Sequence, residues 1–149
     1  MVKRSKLKAR SAKEARIKAR YRLVCLEIDE ESMDRFDYLA CSSCHMNVSN
    51  GSWGHSHNLP KNRFKRLETE KDNIDIRCQD WGEHHGCHEK LDNMEIESIV
   101  TFKDFPEIME YRYAKAPEEY NKIVTAILEA GLDRKVRDRS LNTDYYEEV

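Results

Sequence analysis

The stretch GHSHNLPKNRF, Gly54 to Phe64, sets two histidines two residues apart, just before a proline and a basic cluster. Alone it fits an exposed polar turn, a pair of zinc ligands or half of an active site. Its surroundings narrow the choice. All six histidines (His45, His55, His57, His84, His85, His88) and four of the five cysteines (Cys41, Cys44, Cys78, Cys87) lie between positions 41 and 88. A solvated surface has no reason to gather these residues, whereas a metal centre does.

Cys41-Ser-Ser-Cys44 has the C-x2-C spacing of a zinc knuckle. Cys78 and Cys87 add two thiolates at the longer C-x8-C spacing, which leaves room for His84 or His85 to replace a cysteine. Four sulfurs around one Zn²⁺ make a closed tetrahedral site that contributes folding energy and no open position for chemistry. Cys25 stands outside the cluster and reads as a small apolar residue on a helix.

The composition makes such a staple useful. Of 149 residues, 36% are charged and 39% hydrophobic, so the core is modest for the length. The odd cysteine count and the lack of a leader-like segment predict a reducing, cytoplasmic setting (the host cytoplasm for a phage product). No apolar run approaches the about 20 residues of a membrane span, so no membrane partner is expected. Charge is uneven: residues 1–22 hold ten Lys or Arg and one acid, Glu14, leaving the remainder at -11 within an overall -2. A basic arm on an acidic body predicts a polyanion met by the arm, and a protein partner for the body.

Read for periodicity, Ser5 to about Ile28 is a helix with Ile17, Tyr21, Val24 and Ile28 on one face. Asp29-Glu-Glu-Ser32 reads as a polar break, and Tyr38-Leu-Ala40 as a strand leading into the knuckle. Asn47 to Gly54 is turn chemistry. Trp53 to Leu59 predicts a strand ending at Pro60, Lys61 to Asp72 a charged loop anchored by Phe64 and Leu67, and Asn73 to Cys78 a second strand. Cys87 to about Val100 predicts one helix. Asp104 is a candidate N-cap before Pro106. Ala116-Pro117 starts a last helix with an apolar stripe, closed at Gly131. The fold class is therefore α+β: a basic helical arm (1–37), a small zinc-stapled core (38–100), and a C-terminal helical extension with a polar tail (101–149).

Taken together, Cys41-x2-Cys44, SWGHSHNLPKNRF, KDNIDIRC and GCHEKL resemble the zinc-bearing HNH endonucleases, whose core is the ββα-metal, treble-clef-like His-Me finger. The resemblance covers roughly residues 38–95 and rests on several linked motifs. It implies a metal-dependent endonuclease that cuts DNA to leave 5′-phosphate and 3′-hydroxyl ends. His57 falls at the position of the general base, Asn73 at that of the residue orienting the base or its loop, and His88 at that of a ligand to a catalytic Mg²⁺, Mn²⁺, Ni²⁺ or Zn²⁺. Many members carry Asp or His just before the base; here Ser56 stands there, so the second ligand is open among His55, Ser56, His84 and His85, and His55 is an alternative base. Lys61, Arg63, Lys65 and Arg66 follow the base strand and are candidate phosphate contacts. The general layout is similar to the NinG/Rap phage recombination endonucleases acting on branched DNA, for which a homodimer would suit symmetric cleavage. The alternative is a noncatalytic zinc module that binds nucleic acid through its arm.

Overall fold

The computed structural model describes residues 2–138, with side chains from residue 12 onward. The expected polar tail at 143–149 and the side chains of the arm's first basic residues, Lys3 to Arg10, lie outside the described residues. The chain runs α1 (Val2–Phe36), β1 (Trp53–His57), β2 (Ile74–Cys78), α2 (Cys87–Asp92), α3 (Ile96–Ile99), α4 (Phe105–Lys115) and α5 (Pro117–Glu129). It is α+β, as read from the sequence.

Helix α1 is one rod of 35 residues, about 50 Å at 1.5 Å per residue. The predicted break at Asp29-Glu-Glu-Ser32 does not occur, because three of those four polar residues are used in contacts. Asp29 pairs with His55, Glu31 with Lys71, and Ser32 takes the Ala40 amide and donates to the Tyr38 carbonyl at 2.9 and 3.0 Å. The helix stops where Asp37 turns left-handed (φ 64°), a conformation that Asp tolerates better than most residues. The inner face holds the predicted Ile17, Tyr21, Val24 and Ile28.

Ser32 steers the chain into the knuckle. The expected strand at Tyr38-Leu-Ala40 is only a single bridge, Ala40 to Asn47, with the Cys41 amide bonded to the Met46 carbonyl at 3.0 Å. From there β1 and β2 pair antiparallel, Trp53 opposite Cys78 and His57 opposite Ile74, and Ile74 and Ile76 are buried as their alternation predicts. The intervening loop carries two 3-10 turns, Lys65–Leu67 and Lys71–Asn73. Leu67 and Leu59 bury against Ala116, with Phe64 and Tyr111 at the edge, so both predicted loop anchors take that role.

The helix expected over Cys87–Val100 is two short ones. Asp92-Asn93 are weak helix formers, and Met94 enters the left-handed region (φ 52°). The kink lets Leu91, Ile99, Val100 and Phe102 all reach one core shared with Ile76 and Val48. Pro117 keeps Ala116 extended and so separates α4 from α5. Gly131 (φ 69°) closes α5 with a Schellman pair: Gly131 amide to Leu128 carbonyl at 3.1 Å and Leu132 amide to Ile127 carbonyl at 3.0 Å.

Asp104 does occupy the N-cap position of α4, but its side chain does not cap the helix. It accepts from Ser43 at 2.9 Å and from Arg77 at 3.0 Å, and Arg77, wholly buried, also reaches Asp75 at 3.3 Å. This cluster joins knuckle, β2 and α4. Replacing Arg77 with Ala strands two carboxylates; the expected loss is about 3 kcal/mol, the lower end for a broken buried pair, because the Asp75 side chain is 35% exposed. At Gly86 an added Cβ would stand 2.4 Å from the Gln79 backbone. Gly86→Ala is therefore expected to cost about 1–3 kcal/mol by overpacking. Urea melts of both variants check these values.

Candidate functional site

The knuckle, the end of β2 and the start of α2 converge on one point. The Sγ atoms of Cys41, Cys44, Cys78 and Cys87 all lie within 4.8 Å of one another, and those of Cys44 and Cys78 are 3.9 Å apart. Tetrahedral zinc with bonds of about 2.3 Å needs sulfurs about 3.8 Å apart, so these four residues can hold a metal ion and suit zinc. Cys41, Cys78 and Cys87 are buried; Cys44 is open to solvent. Hydrogen bonds from Cys44, Cys78 and Cys87 favour the Cys41 thiolate, while the same crowding holds the Cys87 thiol protonated. A divalent cation resolves that conflict by accepting all four thiolates. The Cys87 amide and His84 Nε2 each lie 3.3 Å from Cys78 Sγ and can donate to that sulfur. Thus His84 sits beside the cluster and replaces none of the cysteines.

The other histidines sort by strand alternation. His55 and His57 lie on one face of β1 and Ser56 on the other. His57 Nε2 is 2.8 Å from the Glu68 carbonyl. A carbonyl only accepts, so Nε2 carries the proton and Nδ1 keeps its lone pair. Tyr21 of α1 stacks on the ring, centroids 5.7 Å apart and 12° from parallel. Burial pushes the His57 pKa below its ordinary value; the Glu68 carbonyl opposes this and Lys61 adds to it. The imidazole is therefore neutral at pH 7, the form a general base requires.

Beneath the other face, His88 Nδ1 is 3.0 Å from Ser56 Oγ and its Nε2 is 3.1 Å from Asp92 Oδ2. The carboxylate fixes the proton on Nε2 and leaves Nδ1 as acceptor beside the serine hydroxyl. The structure thus brings His88 to Ser56. His55 is instead held by Asp29 at 2.7 Å on the His57 side, next to Trp53. His85 is exposed and bonded on both ring nitrogens, by Asp80 and Glu95, each at 2.7 Å. His45 takes a left-handed turn beside Phe36 on the knuckle.

Asn73 is wholly buried and fully bonded. It accepts from the Leu59 amide at 2.7 Å and donates to the Leu59 and Leu67 carbonyls at 3.0 and 3.2 Å. It thereby pins both ends of the loop that supplies Glu68. Arg112 of α4 adds a second clamp, donating from Nε and Nη2 to the side chain and carbonyl of Asn58, both at 2.8 Å. Of the basic residues, Lys61, Lys65 and Arg66 are exposed, whereas Arg63 is paired with Glu119 at 3.0 Å. The site roles of Tyr21, Asp29, Glu68, Asp92 and Arg112 were not read from the sequence, which placed Tyr21 only on the inner face of the first helix. Only Asp92 had a signal, lying four residues after His88 on a helix and so on the same face.

Metal removal tests the cysteine cluster. The chain is expected to hold one tight zinc per molecule; chelation or Cys78→Ser should abolish cooperative unfolding, while His84→Ala should keep the zinc and bind it about 10–100-fold more weakly. Metal analysis by mass spectrometry with thermal melts reads both.

No family model, no curated protein and no solved structure matches this chain.

Proposed function

We propose that the chain is a metal-dependent endonuclease of the HNH kind acting on DNA. One observation carries the reading: adjacent residues of β1 meet two histidines' needs at once. His57 has its Nε2 proton anchored and its Nδ1 available, and Ser56, next to it, touches the acceptor nitrogen of His88. Nδ1 of His57 takes the proton of the attacking water. His88 Nδ1 and Ser56 Oγ would hold the divalent ion, with Asp92 fixing the His88 tautomer from the far side of the ring, as carboxylates do for metal-bound histidines. When bound, that ion would supply Lewis-acid stabilisation of the scissile phosphate and the departing 3′ oxygen. Asn73 and Arg112 hold the loop and strand end that fix the base, and Lys61, Lys65 and Arg66 are exposed on the loop that follows it, for flanking phosphates. The basic residues of α1 add sequence-independent attraction. The four cysteines stand apart from the chemistry and hold zinc for structure.

The second reading, a noncatalytic zinc module binding nucleic acid, draws on the fact that both His88 nitrogens already have protein partners.

Cleavage of supercoiled plasmid and of a synthetic four-way junction, in Mg²⁺, Mn²⁺ or EDTA, separates the two. Wild type should nick in metal alone. His57→Ala should lose about 10²–10⁴-fold with zinc and fold retained, and Asp92→Ala should weaken metal activation about 10–100-fold. No cleavage by zinc-loaded protein on any substrate would leave the binding module. Because burial lowers the His57 pKa, the base stays neutral through pH 7, and the rate should fall only as pH drops through a value below the ordinary histidine range. A pH–rate profile with the acid limb above pH 7 would reject His57 as base.

A further inference from the structure

Helix α1 has a second face that the fold does not use. Its inner face, Ile17, Tyr21, Val24, Cys25 and Ile28, is buried or half-buried, with Ile28 packed on the core and Tyr21 on the His57 ring. On the opposite side Leu23, Leu26 and Met33 are 67%, 53% and 46% exposed, and among the described residues nothing covers them. They are spaced three and seven apart, the spacing of a seam for another helix, and Ala12 and Ala19 extend the stripe toward the N-terminus. Residues 12–16 are all exposed, so the helix runs on well beyond its last packing contact at Ile17. A helix stretch with no tertiary packing has little to stabilise it.

We propose that α1 pairs antiparallel with α1 of a second copy, making the protein a homodimer. Charge selects both occupant and direction. Within the span that pairs, residues 13–22 hold Lys13, Arg16, Lys18, Arg20 and Arg22 against Glu14 alone, whereas residues 23–36 hold Glu27, Asp29, Glu30, Glu31 and Asp34 against Arg35 alone. Parallel copies would set like charge on like; antiparallel copies set the basic half of each on the acidic half of the other. The apolar stripe fixes the register, since Leu23 of one copy then faces Leu26 of the other, twice by symmetry. That register places Arg16 over Met33 of the second copy and next to its Glu30, so the two charged interruptions of the stripe compensate each other. On the flank, Lys13 meets Asp34 and Arg20 meets Glu27. All four are exposed, although Glu27 lies 3.9 Å from Lys71, whose nearer partner is Glu31. The pairing stands independently of the nuclease reading, and it leaves the His57 side of α1 uncovered.

Sedimentation equilibrium on the zinc-loaded full chain tests it. Wild type should be a dimer that weakens with salt. Leu23→Glu/Leu26→Glu, both surface changes, should be a folded monomer. Arg20→Glu should raise the dimer dissociation constant at least tenfold, and adding Glu27→Arg should restore it. Direction is read by crosslinking: zinc-loaded Leu23→Cys and Leu26→Cys proteins should form disulfides when mixed and not separately. A wild type monomeric at every concentration, a dimer indifferent to the double glutamate variant, no rescue by the charge swap, or links between like positions would each overturn the proposal.

Discussion

Everything in the core depends on four sulfurs meeting at one point. Two five-residue strands cannot stand alone in water, and α2 is barely more than one turn. The Cys41–Cys44 knuckle, the last residue of β2 and the first of α2 are brought within 4.8 Å through those thiols, so one ion can close three otherwise weak segments together. Because Cys78 and Cys87 are the ends of their elements, the constraint fixes where β2 stops and where α2 begins. His88 follows Cys87 directly, and so the same constraint presents its ring to β1.

Away from the cysteine cluster, polar groups take the place of a larger apolar core. Asn73, Asn58, Arg77 and Arg112 are buried, and each ties segments remote in sequence. Asn73 joins both ends of the loop, Arg112 holds the end of β1 to α4, and Arg77 joins knuckle to α4 through Asp104 and Ser43. Buried groups of this type have sharp geometric demands, so they position the loop more narrowly than two leucines could. One demand goes unmet, at Nη1 of Arg77, which has no hydrogen-bond partner among the described residues. That orphan marks the cost of placing a guanidinium in the middle of the fold.

What was legible in the sequence was periodic or locally spaced. Cys41-x2-Cys44, the alternation of Ile74 and Ile76, the stripe Ile17-Tyr21-Val24-Ile28 and Gly131 each act through neighbours in sequence, and each was placed correctly. The failures share a physical cause. Asp29-Glu-Glu-Ser32 looks like a break because its partners, His55, Lys71, Tyr38 and Ala40, are distant or beyond the helix end. The helix over Cys87–Val100 splits because four apolar residues must share one core, a demand that helical propensity alone does not show. Likewise the Glu68 carbonyl carries no residue-type signal; any amino acid supplies a carbonyl, and only the folded loop aims this one at His57.

Strand alternation gives the site its logic. A β-strand turns successive side chains to opposite faces, so adjacent residues can serve two environments without competing. His57 faces α1, where Tyr21 and burial keep the imidazole neutral. Ser56, wholly on the other side, faces the helix that bears His88 and Asp92. Separating them by one residue gives each imidazole its own hydrogen-bond partner, the Glu68 carbonyl for His57 and the Ser56 hydroxyl for His88, on opposite sides of the strand. Asp92, one helical turn beyond His88, completes the arrangement by bonding Nε2 on the far side of the ring, so the orientation of the imidazole is set from both ends, by β1 and by its own helix.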